Sequence, residues 1–158
     1  MDVEKLGWDP KTLGEIDHRD VHAPYVRLSS YLEGAAGDIT YVYDLRVTQP
    51  NTDYLETSVL HSFEHLLLAG FRKYLPKSFV SVAPMGCQTG FYLILLNEGR
   101  FEEVRRVYQA ILDDIIASGE VPYASPDNCG QAVHHDLAGS KKLAESLIAA
   151  KAEWSQVF

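Results

Sequence analysis

The sequence predicts an α+β fold in which a small antiparallel sheet packs with helices. Three observations carry the prediction. Residues Tyr25 to Val47 are rich in β-branched and aromatic side chains and are split by a single turn signal at Gly34–Asp38, the pattern of a hairpin. Three later stretches carry helix signals, either apolar residues spaced by three and four or a capping residue ahead of the run. Strands and helices follow one another without the regular strand–helix–strand alternation of a doubly wound sheet.

Residues 1–20 are mixed, with Gly7, Pro10 and Gly14 breaking any periodicity. Tyr25–Leu28 and Ile39–Val47 read as the two strands of a hairpin with a long loop, ended by Gln49–Pro50–Asn51. Residues 56–75 read as a helix, because Leu60, Phe63, Leu67, Phe71 and Leu75 fall on one stripe and Pro76 stops it. Phe79–Val82 reads as a short strand, Pro84–Met85–Gly86 as a turn, and Gly90–Leu96 as a fully buried strand. Phe101–Ser118 is a second amphipathic helix ended by Gly119, and Pro122–Gly130 is a loop. Asp136 is the expected N-cap of a last helix running to about Ala150.

The 158 residues carry 14 Lys and Arg against 22 Asp and Glu, a formal charge of −8, with 46% hydrophobic and 23% charged residues. This is the composition of a globular chain, of a length expected for one domain over residues 1–158. The acidic balance counts against nucleic acid or an anionic membrane as the main partner. No apolar run approaches the roughly 20 residues of a membrane span. The first residues, Met1-Asp2-Val3-Glu4-Lys5, lack the basic and apolar regions of a signal peptide, so the expected compartment is the cytoplasm. There a disulfide between the two cysteines, Cys87 and Cys129, is disfavoured. Thiolate chemistry, metal binding, or burial as small apolar residues are the readings left for them.

The helix at 56–75 holds His61-Ser62-Phe63-Glu64-His65. At about 100° per residue, His61 and His65 lie within ~40° of each other, so both imidazoles reach one divalent cation. Glu64 sits at the edge of the same face, placed to act on whatever the metal binds. The string is the inverted form of a zinc-peptidase signature, and a solvated helix face carrying these residues by chance is its bland alternative. Cys87 lies in the glycine-flanked turn Pro84-Met85-Gly86-Cys87-Gln88-Thr89-Gly90, a place where a thiol can be exposed at a pocket edge with its acidity set by nearby N–H groups or a cation. Cys129 lies in the polar loop Asn128-Cys129-Gly130-Gln131, a poor place for a core residue. A thiolate there would complete a His₂Cys set with one open position. His22, His134 and His135 read as surface or supporting groups.

These motifs, with others in the same order, resemble the LuxS family of bacterial S-ribosylhomocysteine lyases. The resemblance runs from about Ile16 to the C-terminus. It rests on Asp17-His18, Ala23-Pro24-Tyr25-Val26-Arg27, Tyr43-Asp44-Leu45-Arg46 with Gln49-Pro50-Asn51, His61-Ser62-Phe63-Glu64-His65-Leu66, Pro84 through Tyr92, Cys129-Gly130-Gln131-Ala132 and His135-Asp136-Leu137. It implies a homodimer with two active sites at the subunit interface. It also implies cleavage of the thioether of S-ribosylhomocysteine to homocysteine and 4,5-dihydroxy-2,3-pentanedione, the precursor of the quorum-sensing signal autoinducer-2. By motif, His61, His65 and Cys129 match the metal ligands, and Cys87 and Glu64 the acid/base residues. His18 and Arg46 match substrate-holding residues supplied by the neighbouring chain. The implied metal is one Fe²⁺ per chain, with Zn²⁺ or Co²⁺ able to substitute.

The chain departs from the family pattern just before Asp17-His18. Leu13 and Gly14 stand where a Ser that holds the substrate and a Phe are usual, with Thr12 a candidate source of the missing hydroxyl. Ala83 likewise replaces a Ser. Two other readings follow: a LuxS-like protein that binds metal and substrate without efficient turnover, and an H-x-x-E-H metallopeptidase. Peptidases with that motif are much longer and use a downstream carboxylate ligand.

Overall fold

The structure is a computed structural model describing residues 1–158. Four strands, β1 (Tyr25–Glu33), β2 (Ile39–Arg46), β3 (Phe79–Pro84) and β4 (Gly90–Leu96), form one antiparallel sheet in the order β1-β2-β4-β3. Helix α1 (Thr57–Tyr74) links β2 to β3, and α2 (Phe101–Ala117) and α3 (Leu137–Ala149) follow the sheet. The expected α+β class and antiparallel sheet are both present.

Alternation along the strands decides which face the helices cover. Tyr43 and Leu45 of β2, Phe91, Leu93 and Leu95 of β4, and Val82 of β3 point to one side and are buried. There they join Phe63, Leu67 and Phe71 of α1 and Val104, Val107 and Ile111 of α2 in the main hydrophobic cluster. Each such side chain, fully removed from water, contributes about 1.5–3 kcal/mol. Helices α1 and α2 approach closely because position 70 is glycine. A Cβ there would stand 2.6 Å from the Ile111 side chain. Pro76 ends α1 as expected, and Asp136 caps α3 by accepting from the Gly139 N–H at 2.8 Å.

Two elements differ from the sequence reading. The first strand runs on to Glu33 instead of stopping at Leu28. A bulge between Leu28 and Ser30 restores the ladder, and the connection narrows to Gly34–Asp38, closed by Gly34 N–H to Asp38 O at 2.7 Å. The second is β4, which buries one face and not both: Tyr92 is exposed and Ile94 half-buried, because no helix covers that side of the sheet. The aperiodic first residues form two short 3-10 helices, Glu4–Leu6 and Pro10–Thr12. They are held to the body by the Trp8 Nε1–H to Gly99 O bond of 2.6 Å and by the Arg27 guanidinium, which donates to Thr12 O at 2.5 Å and Gly14 O at 2.9 Å.

The opposite face of the sheet is mixed. At one end Asp44, fully buried, lies between Arg27 (3.2 Å) and Arg46 (2.8 Å). Tyr92, exposed, lies directly across from Asp44, and beyond it Val42 and Ile94, half-buried, and Leu32, exposed, share the face with Ser30 and Thr40. No helix of the chain is long and apolar enough to cross a membrane.

Candidate metal centre and the thiol site

Helical spacing puts His61 and His65 one turn apart on α1, with ring centroids separated by 4.8 Å. The loop between α2 and α3 folds back over them. A turn closed by Cys129 N–H to Ser125 O (2.8 Å) presents the Cys129 sulfur 3.3 Å from His61 Nε2. Just before α3 begins, His135 brings its Nε2 to 3.7 Å from the same sulfur. Four donor atoms, one each from His61, His65, Cys129 and His135, lie within 4.8 Å of one another. A tetrahedral ion with metal–sulfur and metal–nitrogen bonds of about 2.3 and 2.0–2.1 Å has sulfur–nitrogen edges of about 3.6 Å. The observed 3.3 and 3.7 Å bracket that value.

The hydrogen bonds behind the rings set their tautomers for metal binding. His61 Nδ1 faces the His134 carbonyl at 2.9 Å and His65 Nδ1 faces the Pro122 carbonyl at 2.8 Å. Carbonyls only accept, so both Nδ1 atoms carry the proton and both Nε2 lone pairs are free to coordinate. The Ser62 hydroxyl donates to Ser58 O at 2.7 Å and accepts from the Asp136 N–H at 2.7 Å, so at 3.1 Å it accepts a third bond from His135 Nδ1. His135 is thereby in the same tautomer. Burial, followed by the neighbouring His61, His65 and His134, holds its imidazole below the ordinary histidine range, in the neutral form a ligand requires. The donor set fits a divalent ion of borderline softness.

Sequence reading placed His135 among surface or supporting groups; the structure puts it inside the cluster. The signal available was its position one residue ahead of the α3 cap, but nothing in one dimension pairs it with Ser62, 73 positions earlier. His134 is a supporting residue, its carbonyl serving His61 and its ring meeting Thr57 Oγ1 at 3.0 Å.

A cavity of about 280 Å³ opens beside the cluster, lined by Glu64, His65, Leu68, Arg72, Tyr123 and Asn128. Glu64 therefore stands at the mouth of the centre rather than among the donors. Arg72, two turns further along α1, leans over the Tyr123 ring at 5.8 Å and adds a guanidinium to the wall.

Cys87 lies elsewhere. It is exposed in the β3–β4 turn, on a separate cavity of about 510 Å³ whose wall includes Asp53, Tyr54 and Thr89. The two cavities share no lining residue. Burial alone would raise the thiol, but bonds from the Thr89 hydroxyl and N–H and the charge of Arg46 outweigh it and set the thiol below its ordinary range. Arg46 is itself buried, bonded to Asp44 through Nε (3.1 Å) and Nη2 (2.8 Å) and to Thr89 Oγ1 through Nη1 (2.7 Å). Within the chain it is linked to Cys87 through Thr89 Oγ1. His18 is exposed on the turn following Asp17. Thr12, the candidate replacement hydroxyl, is buried and donates to Asp9 O at 2.8 Å, so it is not available. Leu13 packs against the main core, and Gly14 takes a φ of 77°, a conformation in which a Phe would be strained.

An α+β chain in which three imidazoles and a loop thiol converge on one point, beside a carboxylate and a guanidinium, has the donor set of a divalent-metal protein. Residues 14–158 match the family profile of S-ribosylhomocysteinase (LuxS), and the chain belongs to that family. Proteins named S-ribosylhomocysteine lyase are 41% identical in Oceanobacillus iheyensis and 43% in Dichelobacter nodosus, each over 143 residues. Those residues cover 90% of this chain and 93% and 92% of the two relatives.

Proposed function

We propose that this chain is a divalent-metal S-ribosylhomocysteine lyase. It cleaves the thioether of its substrate to homocysteine and 4,5-dihydroxy-2,3-pentanedione, linking the activated methyl cycle to autoinducer-2. The observation that carries the reading is the Nε2/Sγ cluster, its tautomers preset, opening beside Glu64 and Arg72. His61, His65 and Cys129 are the proposed ligands, with His135 adjoining them. Two imidazoles and a thiolate suit Fe²⁺, the proposed native ion, and equally Zn²⁺ or Co²⁺.

The reaction moves a carbonyl from C1 to C3 of the ribose and then expels a thiolate by β-elimination. When bound, the metal supplies Lewis acidity for the carbonyl shifts. The protein supplies the proton transfers. Glu64, at the mouth of the centre, takes and returns protons at carbons on its side of the sugar. Cys87, with its thiol acidified, serves as the second acid/base group. Arg72 offers a planar guanidinium to the carboxylate of the homocysteine end. In the last step a proton leaves the carbon adjacent to the carbonyl, the C–S bond breaks, and its electron pair departs on sulfur, so no redox cofactor enters.

Since Cys87 and the metal cluster open on different cavities of one chain, we further propose a homodimer. The metal half of one subunit then faces the Cys87–Arg46 half of the other, and His18 reaches the shared cleft. The apolar part of the uncovered sheet face, with Val42, Tyr92 and Ile94, supplies a surface for a second copy.

Incubating the metal-loaded protein with S-ribosylhomocysteine and measuring free thiol tests the function. Stoichiometric homocysteine release is expected. Substrate binding without thiol release would instead identify a binding protein.

A further inference from the structure

Thr89 touches no reacting atom in the reaction described above, and it is the only side chain bonded to the Cys87 sulfur. Its Oγ1 lies 3.0 Å from Cys87 Sγ and 2.7 Å from Arg46 Nη1. A guanidinium has no acceptor, so Arg46 donates to the Thr89 oxygen, and the single Thr89 hydroxyl hydrogen is left for the sulfur. Neither Arg46 nor Thr89 is free to turn. Arg46 is clamped by both oxygens of Asp44, which is held in turn by Arg27, all of them buried. The Thr89 carbonyl accepts from Val47 N–H at 2.9 Å and Thr48 N–H at 3.2 Å. The next residue, Gly90, sits so close to β2 that a Cβ would stand 2.6 Å from Leu45 O. Thr89 is thus pinned on three sides, 5% exposed, with its hydroxyl aimed at an exposed thiol.

We propose that Thr89 is a positioning residue for Cys87: its hydroxyl passes the donor strength of the Arg46 guanidinium to the sulfur and fixes the direction in which the thiolate faces the cavity. The charged and titratable groups around the sulfur are few. From β2 come Arg46 and, behind it, Asp44; from β1 comes Tyr25, over the far side of Arg46 at 5.8 Å. From the segment leading to α1 come Asp53 and Tyr54, on the same cavity. Asp53 opposes a thiolate, so the favourable field reaches the sulfur from the Arg46 side, directly and through the Thr89 hydroxyl.

The role in turnover rests on the reading of Cys87 as an acid/base group, so the test reads the thiol directly as well. In the metal-loaded protein, iodoacetamide labelling of Cys87 is followed against pH by mass spectrometry of its peptide. The wild-type midpoint is expected below the ~8.5 of a free thiol. Thr89→Val, which keeps the shape, and Thr89→Ala are both expected to raise it by about one unit or more, the value of one hydrogen bond to a charged group. Thr89→Ser is expected to restore it. In the lyase assay Val lowers kcat with little change in KM, and Ser recovers kcat. An unchanged midpoint in both Val and Ala variants overturns the proposal, as does a Ser variant that behaves like Val. A wild-type protein that releases no thiol, while the labelling shifts appear as expected, would refute the lyase reading and leave the positioning role of Thr89 standing.

Discussion

The two cysteines show how neighbours decide what a sulfur does. Cys129 receives the Gln131 N–H at 3.4 Å and faces three imidazoles, a setting for a ligand. Cys87 faces a hydroxyl backed by a guanidinium, a setting for a proton carrier. Cys129→Ala is therefore expected to lose its metal on dialysis against a chelator under conditions where wild type retains one ion per chain, as read by elemental analysis. Full retention would remove Cys129 from the ligand set. Cys87→Ala and Glu64→Gln are expected to keep the metal and lose lyase activity by about 10²–10⁴-fold or more, the range of general acid–base groups. Near-wild-type rates in either would overturn its assignment. At this scale legibility followed local pattern: Cys129 stood out as a thiol in a polar loop, although His61 is 68 positions away. The His61–Glu64–His65 string was readable because helical geometry brings i and i+4 together. His135 and Thr89 were not, because each takes its meaning from a partner more than 40 positions away, Ser62 and Arg46.

Among the elements, α3 couples packing most directly to the centre. Its cap residue uses both ends: the Asp136 side chain accepts from Gly139 N–H, and its own N–H donates to Ser62 Oγ, the oxygen that orients His135. Asp136→Ala removes the first bond and is expected to cost about 0.5–2 kcal/mol. For a chain of this size that lowers the melting temperature by about 2–4 °C per kcal/mol, measurable by calorimetry, with Asp136→Asn close to wild type. A melting temperature unchanged in the Ala variant would mean the cap is replaced by water. The cap, the proline stop of α1 and the extent of β4 were all legible, because each is a local rule; that β4 buries only one face was not, since Tyr92 and Ile94 are as apolar as the residues on its covered side. The second half of β1 was not. Ser29 and Ser30 interrupt its apolar alternation, and only pairing with β2 across a bulge carries the strand to Glu33.

For the whole molecule, the question is how two cavities with no residue in common serve one reaction. Arg46, Thr89 and Cys87 are linked within a single chain; in the proposed dimer they form one half-site, while His61, Glu64, His65 and Cys129 form the other. The family resemblance implies that Arg46 reaches the metal cluster of the neighbouring chain; its link to Cys87 makes the two residues travel together. This gives a complementation experiment with a definite pairing. His61→Ala breaks only the metal half and Cys87→Ala only the thiol half, so each homodimer should be inactive. After subunit exchange at equal amounts, half the dimers are mixed. In each mixed dimer one cleft joins the intact metal half of one chain to the intact thiol half of the other, restoring activity to about a quarter of wild type. Mixing Arg46→Ala with Cys87→Ala should restore nothing, because the two lesions fall in the same half. Silence in the first mixture, with exchange confirmed by native mass spectrometry, would place both halves of the site within one chain and require the protein to close the gap between its cavities by moving the β3–β4 turn toward α1.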